Sequence, residues 1–486
     1  MKLSCLFKGL SIKFPYKDIE VTDITNDSRK VKKGSLFVCI DGVNADGHNY
    51  AKKAVQNGAS VILTQKKLGL ENEINVSDTR YAYSIICANF FGNPAQSLKL
   101  IGVTGTNGKT SITYIIKHIL EKCGYKTGLI GTIHNMVNEE IFETNNTTPD
   151  AYELQKLFAI MKEKGCEYCV MEVSSHAIEQ GRMAGCNYEC SIFTNLTQDH
   201  LDYHGTMENY MNVKKKLFEV SKTGVFNIDD DYAEKMIKNL KCEIVTYGIK
   251  NKADFTVENI VCKPDGVQYD IEINSEKIKI IQNIPGVFSV YNSLCALVCM
   301  IKLGLPVKDI VAALKTSTGI KGRAEVVPTG KDFTVIIDYA HTPDGLVNII
   351  NAMREVKNKM QINPGEKGDL TVLFGCGGDR DRTKRPLMAK AVMELSDKAI
   401  ITSDNPRTEQ PSKIIEDILE GTKGYKIPYI VIENRKEAIK YAIKNAKTND
   451  IIILAGKGHE TYQILKDGTI HFDEREVVKE ALNELN

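Results

Sequence analysis

The chain is 486 residues long, with 63 Lys and Arg against 62 Asp and Glu, 13 cysteines and no tryptophan. A length of that order predicts roughly two to four domains rather than one core. The near-zero charge balance gives no electrostatic case for nucleic acid or an anionic membrane as main partner, so a charged ligand has to be held locally. No apolar run approaches the ~20 residues of a membrane span, and the start, "MKLSCLFKGLSIKFPYKD", lacks a long apolar stretch followed by a small-residue cleavage site. The expectation is a soluble cytoplasmic protein. An odd number of cysteines scattered through apolar segments fits reduced thiols better than a disulfide framework.

Residues 1–96 read as a smaller α/β unit, with short strands such as "GSLFVCI" and "ASVILT" around the turn-rich "DGVNADGHNY". "FFGNPAQSL" then reads as a linker, because Gly-Asn-Pro interrupts helix and strand alike. Residues 97–325 alternate strands and helices through "LKLIGVTG", "TGLIGT", "EYCVMEVSS" and "CSIFTNLT", which predicts a mostly parallel sheet covered on both faces. Near 253–281, "ADFTVENIVCKPDGVQYDIEI" predicts an antiparallel excursion turning at Asp265-Gly266. Residues 326–486 form a third, Rossmann-like α/β unit with "FTVIIDYAH", "DLTVLFGCGGDRD", "KAIITSDNPR" and "DIIILAGKGHE". The expected fold class is therefore α/β in three domains. Each polar cluster begins where an apolar strand ends, which is where open α/β sheets bind ligands.

Cys166 and Cys169, with Cys186 and Cys190, have roughly the separation of a zinc ribbon. Cys169 lies inside the strand-like "EYCVMEV", however, and the second pair has one residue too many between its cysteines, so packing is the preferred reading.

The segment "IGVTGTNGKTS", Ile101 to Ser111, ends like a phosphate loop but fails the G-x-x-x-x-G-K-[ST] count, since Val103 stands where the first glycine belongs. Its context is nonetheless a buried strand running into a helix marked by Ile112, Ile115, Ile116, Ile119 and Leu120. At such a junction the unpaired N–H groups and the helix dipole favour an anion. Gly105 and Gly108 allow the backbone to approach it, Lys109 can reach terminal phosphates, and Thr110 can offer a hydroxyl to Mg²⁺. Further on, Glu172 in "MEVSSH" and His200 in "TNLTQDHLDYHG" follow successive strands and suit a hard cation near those phosphates. In "MENYMNVKKKLFE", Lys214, Lys215 and Lys216 are not distinguished by composition.

"GVTGTNGKTS" resembles the ATP loop of the Mur ligases and of their relatives the folylpolyglutamate synthetases, G-x-x-G-T-N-G-K-[ST], whose first glycine corresponds to Gly102. The resemblance implies ATP as co-substrate on Gly105, Thr106, Asn107, Gly108, Lys109, Thr110 and Ser111, with Mg²⁺ on Thr110 and Glu172 and a second ion on His200. "Y-x-x-x-K-x-x-L-F" resembles the segment in which a Mur ligase lysine becomes carbamylated. Aligning Tyr210, Leu217 and Phe218 selects Lys214 as that N6-carboxylysine and as a metal ligand. Carbamylation needs the neutral amine, so the site has to lower a pKa that starts near ~10.4.

The same resemblance places Asn292, Arg323, Asp338 and His341 on the adenine and ribose side of ATP. It places Asn146, Thr147, Thr148, Ser174, Gln180 and Arg182, with Ser28 and Val43-Asn44-Ala45 in the first domain, on a UDP-MurNAc-L-Ala-D-Glu substrate. "DNPR", Asp404, Asn405, Pro406 and Arg407, resembles the motif of the meso-diaminopimelate-adding members, and Arg380, Gly456 and Glu460 match their remaining positions. Arg407 offers a planar fork for a second carboxylate, and lysine, which lacks one, would leave that guanidinium unpaired. Lys109, Lys214 and His200 are the expected catalytic groups. Diaminopimelate, the nucleotide-sugar dipeptide and ATP are the expected partners, with no nucleic acid, no membrane and a monomeric state. The rival readings are a lysine-adding member, a folylpolyglutamate synthetase, and an idle binding protein that has kept the fold.

Overall fold

The computed structural model describes residues 1–12, 18–42, 45–144, 146–263, 266–317, 319–359 and 368–485. Near the start, strands Asp23–Thr25, Ser35–Val38, Val61–Thr64 and Glu73–Asn75 pair in parallel in that order. Helix Thr79–Phe90 packs on them through Ala82, Tyr83, Ile86 and Cys87, and starts where the Asp78 carboxylate accepts from the N–H groups of Arg80 and Tyr81.

The second sheet has 11 strands, and Lys99–Thr104 lies in its middle, parallel to Tyr188–Phe193 on one side and Tyr168–Glu172 on the other. Burial on both faces explains why these strands read as unbroken apolar runs. Helix Lys109–Lys122 lays Ile112, Ile115, Ile116, Ile119 and Leu120 over Ile101, Val103 and Val170. Helix Val287–Lys302 is apolar nearly all round and packs into the same core, which brings Asn292 to the glycine loop. The antiparallel strands Phe255–Lys263, Gly266–Ile273 and Glu276–Gln282 extend this sheet through a parallel pairing of Tyr247 with Phe255. Asp265, half of the expected turn there, lies outside the described residues.

The third sheet runs Glu325–Val327, Thr334–Asp338, Ile451–Ala455, Leu370–Phe374, Lys398–Ile401, Tyr429–Val431. The first strand is antiparallel to its neighbour and the others are parallel. The carboxyl ends of the second and third sheets open on two shared cavities, so loops from both line each one. The cysteines Cys166, Cys169 and Cys186 sit with Leu154, Phe158 and Met171 in one apolar core, and Cys190 lies in the neighbouring one.

Candidate active site

The glycine loop is set by close backbone approach. Gly105 has φ +148°, and a Cβ there would stand 1.9 Å from Thr194 Oγ1, so no larger residue fits. The Thr106 N–H donates to Asn195 O at 2.9 Å, and the Asn107 N–H donates to Asn195 Oδ1 at 2.8 Å. The loop is thereby pinned to the end of the neighbouring strand before any ligand arrives. Asn107, Gly108, Ser111, Asn292, Arg323 and Asp338 line a cavity of about 470 Å³ whose far wall is apolar, with Ile284, Val287 and Phe288. Asp338 accepts from the N–H groups of Ala324 at 2.7 Å and Ala340 at 2.8 Å, and so fixes the turn that carries Arg323. Arg323 Nη2 in turn donates to Thr110 Oγ1 at 3.1 Å.

Two lysines converge behind the loop. Lys109 Nζ and Lys214 Nζ both donate to the Gly105 carbonyl, each at 3.0 Å, and Lys109 also reaches the Thr106 carbonyl at 2.8 Å. Lys214 is 1% exposed and lies 4.5 Å from the Tyr210 ring centre. Burial, and then the charge of Lys109, hold the Lys214 amine well below the ordinary lysine range. Lys215 instead caps the Lys235 and Lys238 carbonyls, and Lys216 pairs with Glu179 at the surface. Of the three consecutive lysines, only Lys214 meets the loop.

Glu172 is 1% exposed and accepts from Thr132 N at 2.8 Å and Thr132 Oγ1 at 3.0 Å, which leaves lone pairs on both oxygens. His200 adopts φ +53° and packs edge-on to His176 at 4.9 Å. Burial outweighs the pull of Asp199 and, helped by His176, Lys214 and Lys109, brings the imidazole down to about 3, so it is neutral near pH 7. A hydroxyl, a carboxylate and a neutral imidazole around a phosphate loop are donors that Mg²⁺ accepts. Among the described residues they do not form a cluster of three acidic, His or Cys groups. Ligand oxygens and water would complete the shell of an ion held there.

A second cavity, also about 470 Å³, gathers Asn146, Thr147, Ser174 and Arg182 from the middle sheet with Arg380, Asp404, Asn405, Arg407, Gly456 and Glu460 from the third. Thr148, fully buried, donates to the Glu172 carbonyl at 2.8 Å and so carries Thr147 into place. Gln180 Oε1 receives Arg182 Nε at 3.1 Å and Nη2 at 2.8 Å, while Nη1 reaches the Thr148 carbonyl at 2.7 Å. Gln180 therefore acts on the cavity by aiming Arg182. Arg407, at φ +54°, donates to the Gly378 carbonyl at 2.8 Å, and its charge has no carboxylate partner among the described residues. Burial, and then Arg380 beside it, lower its pKa, and Asp404, Glu460 and Asp379 oppose this. Pro406 supports the same turn: its carbonyl lies 1.9 Å from where a Cβ on Gly378 would be.

His341 is found in this second cavity, 3.9 Å from Asp199, and not on the wall of the first. The turn after Asp338 divides its polar residues, sending Asp338 back to Ala324 and His341 across to the middle sheet. Ser28 and Ala45 lie in the first unit, away from both cavities. The Ser28 carbonyl accepts from Asn57 and the Ala45 carbonyl from Gly42. Val43 and Asn44 lie outside the described residues.

Sequence reasoning missed the contacts that join the two halves. Asp199 and Lys384 form a buried ion pair at 3.1 Å, Gln198 Nε2 donates to Thr383 Oγ1 at 2.8 Å, and Asn107 Nδ2 donates to Asp344 Oδ2 at 2.9 Å. Although burial opposes ionisation of Asp199, Lys384, His200 and His341 outweigh it and hold the carboxyl below its usual range. A carboxylate directly before a candidate ligand in "QDHLD" was the one available signal.

Three family models account for most of the chain: the Mur ligase family catalytic domain over residues 20–90, the Mur ligase middle domain over 103–300, and the Mur ligase glutamate ligase domain over 322–458. The chain belongs to the Mur ligase family. It is 49% identical over 494 aligned residues, covering 100% of both proteins, to the UDP-N-acetylmuramoyl-L-alanyl-D-glutamate--2,6-diaminopimelate ligase of Clostridium botulinum (strain ATCC 19397 / Type A). It is 46% identical over 489 residues, 100% of this chain and 99% of the relative, to the protein of that name from Caldanaerobacter subterraneus subsp. tengcongensis. A solved structure titled as the same ligase superposes with a TM-score of 0.70 at 31% identity, covering 100% of this chain and 99% of the other.

Proposed function

We propose that this chain is an ATP-dependent amide ligase that joins meso-diaminopimelate to UDP-MurNAc-L-Ala-D-Glu in the assembly of peptidoglycan precursors. The observation that carries the reading is the second cavity, where Arg407 and Arg380 from one sheet face Arg182 and Ser174 from another, next to a glycine loop bearing Lys109. The triphosphate lies along Asn107, Gly108 and Ser111, with its base toward Ile284 and Phe288. The dipeptide's free carboxylate attacks the γ-phosphorus, forming an acyl phosphate and releasing ADP. The amine of diaminopimelate then attacks the acyl carbon, loses a proton, and inorganic phosphate leaves.

Lys109 gives up its backbone acceptors to follow the transferred phosphoryl group, and Arg182 and Ser174 orient the dipeptide. Arg407 takes the distal carboxylate of diaminopimelate, and Glu460 takes its ammonium. Thr110 and Glu172 would hold one Mg²⁺ and His200 a second, with Lys214 as a carbamate ligand, and the ions would neutralise phosphate charge. Burial, and then the charge of Lys109 on the same carbonyl, favour the neutral Lys214 amine that adds CO₂.

The test is ADP release from ATP, which should require the nucleotide dipeptide and meso-diaminopimelate together. Release with L-lysine but not diaminopimelate would overturn the role of Arg407.

A further inference from the structure

Lys457 has no exposed surface, and all three of its ammonium hydrogens are engaged. Nζ donates to Asn405 Oδ1 at 3.0 Å, to Glu460 Oε2 at 3.0 Å and to the Tyr462 carbonyl at 2.8 Å, with Asp404 Oδ1 at 3.4 Å. A satisfied buried lysine is commonly a structural plug. Here two of its three partners are side chains that line the second cavity.

The effect on each partner follows from donor and acceptor counting. Asn405 Oδ1 also accepts the Ile464 N–H at 3.0 Å, so that atom must be the oxygen, and Nδ2 is turned to Glu460 Oε2 at 2.9 Å. Glu460 Oε2 thus holds two donors, and Oε1 is without a protein donor among the described hydrogen bonds. Burial, and then the charge of Asp404, push the Glu460 carboxyl up, and Lys457 and Asn405 oppose this. The other ionisable groups that couple to Glu460 are Arg407 and the phenols of Tyr339 and Tyr462. Arg407 is engaged with backbone carbonyls, and the phenols bring no positive charge.

We propose that Lys457 is the positioning residue of the amino-acid pocket: directly and through Asn405 it fixes Glu460 as the acceptor for the distal ammonium, while Arg407 takes the carboxylate. The pocket then reads both ends of an amino-acid group at once. This rests on the assignment of the second cavity to diaminopimelate. Without Lys457, Asp404 and Glu460 would share a buried site with no cation between them, Glu460 would hold a proton more readily, and the ammonium would lose its charged acceptor. Because the ionised fraction of a carboxyl grows with pH, the defect should be largest in acid and fade as pH rises.

The experiment measures KM for diaminopimelate, ATP and the nucleotide dipeptide in full-length Lys457→Met and wild type from about pH 6 to 9. The KM for diaminopimelate should rise roughly 30-fold at the acid end and less at the alkaline end, with the other two within about twofold. Glu460→Gln should raise it by a factor that does not vary with pH. An unchanged KM, or a rise of equal size at every pH, would make Lys457 a structural ion and overturn the proposal. If Lys457→Met no longer gains thermal stability from ADP, Lys457→Arg carries the test. It keeps the charge but displaces Asn405 and Glu460, so discrimination between diaminopimelate and L-lysine should fall, and unaltered discrimination overturns the proposal. A wild-type protein whose ADP release ignores diaminopimelate fails the proposed function instead, which keeps the two failures apart.

Discussion

The two cavities have equal volumes, about 470 Å³, but differ in how they are made. At the first, the end expected to take an anion is one loop between an adjacent strand and helix, and its residues lie within ten positions of one another. The second is assembled from side chains that belong to at least six separated segments, from Thr132 to Tyr462. Its existence depends on two sheets facing each other. Phosphate binding can therefore be encoded locally, whereas selection of the two joined substrates requires the tertiary structure.

Four substitutions probe that difference, in descending order of expected effect. Lys109→Ala removes the cation that the glycine loop's own helix supplies, and kcat for ADP release should fall by about 10³-fold or more while binding of the nucleotide dipeptide persists. Retained turnover would show that the backbone cradle suffices. Lys214→Ala should lower activity by about 10²-fold. Added bicarbonate should not restore it and a small carboxylic acid should do so in part, whereas Lys215→Ala and Lys216→Ala should remain active. Full activity in Lys214→Ala would move the carbamate elsewhere.

Lys384→Met leaves Asp199 buried without its partner across the two halves, and should cost about tenfold in kcat/KM for both joined substrates. ADP binding, measured by titration calorimetry, should be nearly unchanged, because the glycine loop does not need the contact. The smallest effect belongs to Asp344, whose carboxyl is pushed up by burial, with Asn107 and Asn348 opposing. An acid whose folded pKa is raised favours the native state while protonated and loses that contribution as pH rises through the ordinary range toward the folded value. Asp344→Asn should accordingly raise the melting temperature by about one or two degrees at pH 7 and leave it unchanged near pH 4. The reverse pH order would show that the Asn107 contact favours the charged form.

The degree to which each residue was legible in the sequence follows from the same physics. Lys214 was selected by resemblance, yet helical geometry alone supports it. Tyr210, Lys214, Leu217 and Phe218 recur at spacings of three and four, and all are buried on one face, while Lys215 and Lys216 point away. Glu172 ends an apolar strand and was found as a polar residue at a strand end, whereas Thr148, in the turn before helix Ala151–Glu163, was reached only through the family resemblance. His341, expected beside the nucleotide together with Asp338, lines the second cavity while Asp338 lines the first, because a turn can send residues three apart to different walls. Lys457, between two strands, and Lys384, at the start of a helix, carried no readable signal, since a lysine at such a place looks solvated until segments distant in sequence cover it.

Taken by itself, the sequence determined the α/β alternation of strands and helices, where the main polar clusters begin, and that one strand-to-helix junction suits an anion. Those properties depend on side-chain periodicity and on backbone groups only a few positions apart. Only the tertiary structure decided that Asp199 meets Lys384, 185 positions away, and that Asn107 meets Asp344, 237 away. Periodicity reports which face of an element is buried, and what lies across that face depends on how the sheets are brought together.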